Sequence, residues 1–205
     1  MYIPRENKVN DKNEAISFMR RFNFATVVTN CDDVPTATHL PFVIDERDDA
    51  IVLTSHFAKA NAHWQNIEAN SNLVIFTEPH AYISPKHYDK LQSVPTWNYM
   101  SIHAYGRGRI IRDTDQVIKV LETMIRTYES AYQAQWDALQ MSYKEAMING
   151  IMAFEITVDD LQYNQKLSQD KKENERQSII NSLAMSDDST DRILGDYMKS
   201  NQNKK

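Results

Sequence analysis

Six histidines, at positions 39, 56, 63, 80, 87 and 103, fall in one stretch of the chain. Clustered imidazoles raise the question of a metal centre, but ligand sites need spacings that bring ring nitrogens together, such as HExxH or HxH, and neither occurs. No metal site is therefore expected, and several of these histidines are expected to serve loops and helix ends. A second group lies in "LTSHFAKANAHW" (53–64), where a strand-like run passes directly into a helix-like one. Free backbone N–H groups at a helix start, together with Ser55, His56 and the cation of Lys59, would make a phosphate-sized anion pocket without any glycine. The third group is "HAYISPKHYDKLQSVPTWNY" (80–99), too polar for an ordinary core strand and too aromatic for an ordinary solvated loop.

A flavin mononucleotide has a phosphate at one end and a planar ring system at the other. Its pocket needs an anion site, apolar or aromatic walls and a few donors for the ring. The second and third groups supply these kinds of residue. The competing reading is a plain strand-to-helix corner with Lys59 in solvent, and Trp97 and Tyr99 as core or interface aromatics.

Other chemistries are excluded by what is missing. The four glycines, at 106, 108, 150 and 195, cannot write a phosphate-binding GxxxxGK[ST] loop or a dinucleotide-binding GxGxxG, and Gly106 and Gly108 sit inside a strand pattern. No GxSxG elbow occurs, and Cys31, the single cysteine, lies in an expected turn, so neither a disulfide within one chain nor a thiolate metal cluster is available.

The elements that would position these groups follow from periodicity. Asp11 and Glu14 mark a helix start that runs to about Phe22. "FATVVTN" (24–30), "PTATHLPFVI" (35–44) and "AIVLTSHF" (50–57) read as strands separated by the Asp-rich turns "CDDV" and "DERDD". A short helix over 58–70, a strand over 73–78 and a longer strand over 100–112 come next. Asp113 and Gln116 make a capping pattern for a helix whose apolar face is Val117, Val120, Leu121, Met124, Ile125 and Tyr128. An irregular helix over 134–148, a strand over 150–161 and a helix over 172–185 complete the pattern. Short strands at hairpin spacing predict an antiparallel sheet or barrel. One domain over 1–185 is expected, with 186–205, rich in Ser, Asp, Asn and Lys, as a flexible tail.

A net charge of −5 argues against nucleic acid as the main partner, because such affinity rests on Lys and Arg neutralising phosphates. Arg107, Arg109 and Arg112 are the one concentrated basic strip, more simply read as a solvated strand edge. No window approaches the ~18 to 20 apolar residues of a membrane span, and the N-terminal residues lack a signal peptide's apolar region, so a cytoplasmic protein is expected.

The blocks "THLPF" (38–42), "SHFAKANAHW" (55–64), "PHAYISPKHY" (79–88), "VPTWNY" (94–99), "HAYGRG" (103–108) and "KLSQDK" (166–171) stand in an order that resembles the PaiB-type transcriptional regulators, a family also described as FMN-binding. The resemblance covers about residues 2–185. It implies an α+β fold, an antiparallel split β-barrel of the flavin-reductase-like kind with flanking helices, and a homodimer with FMN at a two-fold interface. It also implies negative control of genes for sporulation and secreted degradative enzymes.

More remotely, residues 53–78 are similar to the pyridoxamine-phosphate-oxidase-like split barrels, whose Ser-Arg-Lys segment grips the FMN phosphate. That segment falls here on Ala58, Lys59 and Ala60, so only Lys59 keeps a charge, and His56, Asn61 and His63 are expected to supply further donors. Tyr82, Trp97, Asn98 and Tyr99 are expected to border the ring, with Lys166 and Ser168 also in contact, while Asp170 replaces the family's usual Asn and is left out. A different class remains open, a flavin- or haem-dependent oxidoreductase whose histidines supply an axial ligand, as does a fold that has lost its ligand. Whether the chain is an enzyme is not readable from the sequence.

Overall fold

Two hairpins near the N-terminus are set by aspartates. β2 (Phe24–Cys31) and β3 (Val34–Pro41) join through Asp32 and Asp33, and β4 (Val43–Arg47) and β5 (Ala50–Ala58) join through Asp48 and Asp49. All four turn aspartates have positive φ, between 49° and 63°. A two-residue turn whose handedness matches the strand twist needs that conformation at both central residues, and the short polar Asp side chain tolerates it better than most.

The run 35–44, expected as one strand, is two strands meeting at Phe42. Its ring is fully buried, its N–H donates to the Asn23 carbonyl at 2.8 Å, and its carbonyl accepts from the Tyr128 hydroxyl at 2.9 Å. A large apolar side chain pinned on both backbone atoms turns the chain from one hairpin into the next.

The computed structural model describes residues 1–202, so residues 203–205 of the expected tail lie outside the described residues. The remaining strands are β1 (Lys8–Val9), β6 (Ser71–Ile83), β7 (Thr96–Ile111) and β8 (Ile151–Lys166). They form an antiparallel sheet, not closed, in the order β3-β2-β6-β7-β8-β5-β4, with β1 paired to β8. Among the described residues six α-helices accompany it: α1 (Lys12–Arg21), α2 (Thr114–Tyr128), α3 (Gln133–Ala138), α4 (Met141–Ile148), α5 (Glu173–Ala184) and α6 (Ser189–Gln202). The expected helix over 58–70 is only a 3-10 turn, Ala62–Asn66, and the irregular helix over 134–148 is α3 and α4 in succession.

The chain divides into two compact units, and β6, β7 and β8 contribute residues to both. One unit comprises residues 12–76 and 103–161. Its core contains Phe42, Phe57, Phe76 and Phe154, with Phe57 stacked on Phe154 at 4.6 Å. α2 adds Val117, Val120 and Met124, which pack with Val43, Ile111, Ile148 and Ala153. As the capping pattern predicts, the Asp113 carboxylate accepts from the Gln116 N–H at 3.0 Å.

The other unit comprises residues 1–11, 77–102 and 162–202. Here α6 replaces most of the expected flexible tail: Leu194 and Met198 are fully buried, and Gly195 brings α6 so close to α5 that a Cβ at that position would stand 3.2 Å from the Leu183 Cβ. Four apolar residues, Ile193, Leu194, Tyr197 and Met198, form the helix stripe that an otherwise polar composition conceals.

Gly106 marks another close approach. A Cβ there would stand 2.1 Å from the Thr157 carbonyl oxygen, inside any allowed contact. Gly106→Ala should therefore lower the unfolding free energy by about 3 kcal/mol or more, through overpacking against backbone that cannot yield as a side chain can; a urea titration showing a midpoint equal to that of the wild type would contradict this reading.

Candidate flavin-binding site

"KLSQDK" is a tight turn following β8. Gln169 makes it: its side-chain oxygen accepts from the Leu167 N–H at 2.7 Å, and its amide nitrogen donates to the Gln165 carbonyl. Ser168 adopts a left-handed conformation, φ 57°, which a non-glycine residue holds only where the surroundings fix it. Asn98 does the fixing. Fully buried, it donates to the Ser168 hydroxyl at 3.0 Å and accepts from it at 3.1 Å. Two further contacts join "VPTWNY" to the same region, Lys166 Nζ donating to Thr96 Oγ1 at 2.5 Å and Asn164 Nδ2 donating to Tyr99 Oη at 2.9 Å. α6 closes it from the C-terminal side, with Asn201 donating to the Gln165 side chain at 2.8 Å.

These pairings frame a cavity of about 420 Å³, within the range of small-molecule sites. Asn98, Tyr99, Lys166 and Ser168, four of the ten sequence-derived site residues, line it together. Sequence reasoning missed Tyr88, Thr96 and Lys171, which also line it, as does Tyr2 near the N-terminus. "PHAYISPKHY" contained the signal for Tyr88, but nothing local says which of its aromatics turns inward.

The cavity fits the demands of a flavin. Tyr88 and Tyr99 give aromatic walls, and Val94 and Pro95 give apolar ones. The Tyr88 hydroxyl is buried without a hydrogen-bond partner among the described residues, and burial raises its pKa, so it stays a neutral donor. Lys171 is held by Asp170 at 2.6 Å and lies over the Tyr88 ring, whereas the Lys166 ammonium donates to Thr96 Oγ1 and has no carboxylate partner among the described residues. Tyr82 and Trp97 do not line this cavity. They stand on the surface, each 53% exposed, with ring centroids 5.9 Å apart.

His56, Lys59, Asn61 and His63 belong to the unit of residues 12–76 and 103–161. The expected helix-start anion cradle is not formed there. The Lys59 N–H donates to the Gly150 carbonyl at 2.8 Å, the Asn61 N–H to Ala58, and the His63 N–H to the Asn61 side chain. Backbone donors that are already satisfied hold no phosphate.

His63 is likewise engaged on both ring nitrogens, Nδ1 with Thr38 Oγ1 at 2.8 Å and Nε2 with Thr29 Oγ1 at 2.9 Å. The Thr29 hydroxyl donates onward to Asn72 Oδ1, so it must accept from Nε2–H, and Nδ1 must accept from Thr38. Asn72 Nδ2 completes the chain by donating to the carbonyls of Ile67 and Asn70. His63 is 3% exposed and serves this network, leaving no ring nitrogen for a ligand. Among the described residues the exposed Lys59 side chain has no partner, and the buried His56 Nδ1 finds none. Of the basic strip, Arg109 pairs with Glu155 and Arg112 with Glu68, which leaves Arg107.

Comparison with known proteins bears on the ligand class. A family model described as "Putative FMN-binding domain" matches residues 1–160. The chain belongs to this family. A separate match runs nearly the full length: "Protease synthase and sporulation protein PAI 2" of Bacillus subtilis is 36% identical over 202 residues, covering 97% of each chain. Among solved structures, the flavocytochrome Anf3 of Azotobacter vinelandii aligns with a TM-score of 0.64, 16% identity, and 84% of this chain and 77% of its own covered. The FAD and heme binding protein of Mycobacterium smegmatis aligns with a TM-score of 0.62, 13% identity, and coverage of 84% and 79%. These two share the fold, an antiparallel split-barrel arrangement with flanking helices.

Burial lowers the pKa of His56, His63, His87 and His103 below the ordinary 6.5. The folded protein keeps these rings neutral while the unfolded chain takes up protons near pH 6.5, so the stability they carry is present above that pH and is lost as pH falls through it toward the folded values. Urea midpoints should therefore drop between pH 7.5 and 5.5, above the range where carboxylates titrate, and an unchanged midpoint would exclude buried neutral imidazoles.

Proposed function

We propose that this chain is a cytoplasmic FMN-binding protein of the PaiB type that acts as a homodimeric negative regulator of genes for sporulation and secreted degradative enzymes. The observation that carries the flavin part is the cavity beside the "KLSQDK" turn, with its tyrosine walls and with Lys166 unpaired by any carboxylate of the described residues. In this reading Lys166 meets the phosphate, Tyr88 and Tyr99 flank the ring, and Asn98 and Ser168 fix the backbone that presents them. Bound flavin would supply reversible two-electron chemistry, and this chain's own residues bind and orient it.

The regulatory part rests on the family and on the name of the Bacillus subtilis relative, which ties that protein to protease synthesis and sporulation. The exposed Trp97 and Tyr82, with His80 beside Trp97 at 6.0 Å, suit the two-fold interface of a homodimer. Among the described residues no helix is long and apolar enough to cross a membrane.

A second reading, a haem- or flavin-dependent oxidoreductase, is favoured by His56 and His103. Both are held neutral by burial, and each has a ring nitrogen without a partner among the described residues. Neutral imidazole is the form that ligates iron.

The test is a fluorescence titration of FMN into the purified protein, with a parallel absorbance titration of haem. FMN fluorescence should be quenched on binding. Lys166→Ala should weaken the affinity about tenfold, the worth of one charge-assisted contact to a phosphate, while Lys59→Ala leaves it unchanged. Loss of affinity in Lys59→Ala alone would move the phosphate to the 53–64 corner, and a Soret band with no flavin binding would replace the first reading by the second.

A further inference from the structure

The unit of residues 12–76 and 103–161 carries a separate, half-open cavity of about 270 Å³ between α2 and the sheet. Its helical wall is the stripe Gln116, Lys119, Val120 and Thr123, spaced i, i+3, i+4 and i+7, so that one face of α2 looks into it. Strand register builds the opposite wall. Val43 pairs with Thr54 across β4 and β5, and Thr54 with Glu155 across β5 and β8, which sets the three side chains in a row on one face. Asp45 and Arg47 follow Val43 at alternate positions of β4, and Arg109 and Ile111 alternate likewise on β7.

The polar groups of this cavity are organised but incompletely used. Glu155 accepts from Arg47 Nη1 at 2.6 Å and from Arg109 Nη2 at 2.8 Å, and Asp45 accepts from Arg47 Nε at 3.1 Å. Both carboxylates are thus occupied, and both guanidinium groups are held in place with N–H donors to spare. The Lys119 ammonium has no partner among the described residues, so three cations face two carboxylates and one positive charge is left over.

Thr54 is 5% exposed, and its hydroxyl is buried without a hydrogen-bond partner among the described residues. Such a group is nearly always satisfied in a folded protein by another residue or by a bound molecule. Beside these stand the apolar side chains of Val43, Ile111 and Val120, which belong to the core.

We propose that this cavity is a binding site for a small monocarboxylate. Its carboxylate meets Lys119 and Arg109 and accepts from the Thr54 hydroxyl, and its apolar body lies on Val43, Ile111 and Val120. One negative charge neutralises the lining. The volume falls short of the ~300 to 1,000 Å³ of drug-sized sites, so the ligand is a compact acid and not a nucleotide. The site goes beyond the flavin reading and does not depend on it, because it shares no residue with the cavity at Lys166.

The experiment titrates benzoate into the full chain without added flavin, followed by calorimetry and by the melting midpoint, with benzamide as the uncharged isostere. Benzoate should bind and raise the midpoint, and benzamide should do neither. Lys119→Gln, an exchange on an exposed helix position, should weaken benzoate about tenfold. Thr54→Val, which keeps the shape and removes the hydroxyl, should weaken it without lowering the midpoint of the unliganded protein. FMN affinity should be the same in both variants. Absence of benzoate binding at millimolar concentration, equal binding of benzamide, or wild-type benzoate affinity in either variant would overturn the proposal.

Discussion

Asn98 is a fully buried amide, and a buried amide must find partners within the protein. It finds them on two other segments at once: the left-handed Ser168 of the turn after β8, and the sulfur of Met198 on α6, at 3.6 Å. Leaving such a group unpaired costs about 1 to 3 kcal/mol, a sizeable share of a typical net stability of about 5 to 15 kcal/mol. The strained backbone at Ser168, the seating of α6 and the shape of the cavity therefore stand or fall together. The "VPTWNY" and "KLSQDK" motifs belong together because one residue of each satisfies the other.

The unit of residues 12–76 and 103–161 uses the same device with different residues. Asn61, Thr38, His63, Thr29 and Asn72 form a chain in which every donor direction is determined by its neighbour, ending on backbone carbonyls of the segment that precedes β6. Gly108 lets that segment approach, since a Cβ there would stand 2.6 Å from the Ile67 carbonyl oxygen. The histidine that sequence chemistry offers as a ligand donor is consumed in holding strands to a loop. Polar residues in a core specify one arrangement of neighbours because the alternatives leave them unpaired.

Charge is handled locally. Arg47, Arg109, Arg112, Lys171 and Lys172 each have a carboxylate within 3.1 Å. Exposed pairs of this kind contribute little to stability. Their effect is on presentation: pairing offsets the positive potential that the basic strip at the end of β7 would offer to nucleic acid, and it fixes the Arg47 and Arg109 guanidinium groups on Glu155. Among the described residues, Lys166 in one cavity and Lys119 in another stand in concave surroundings without a carboxylate partner.

The sequence by itself determined the antiparallel strands, the Asp-Asp hairpins, the capped helix at Asp113 and membership of an FMN-binding family, because each is written in local periodicity, turn chemistry or contiguous motifs. It also brought Asn98, Tyr99, Lys166 and Ser168 into view, since motif blocks mark them. Only the tertiary structure decided that these four share a cavity, that Trp97 and Tyr82 lie outside it, and that the "SHFAKANAHW" corner turns its donors inward to the protein. α6 was hidden because four apolar residues among many polar ones carry little weight until a neighbouring helix and Asn98 are there to receive them. The physical reason is common to all these cases: whether a polar side chain is a ligand donor or a structural one depends on whether the fold brings it a partner, and partners such as Asn98 and Ser168, or Thr29 and His63, are tens of residues apart in the chain.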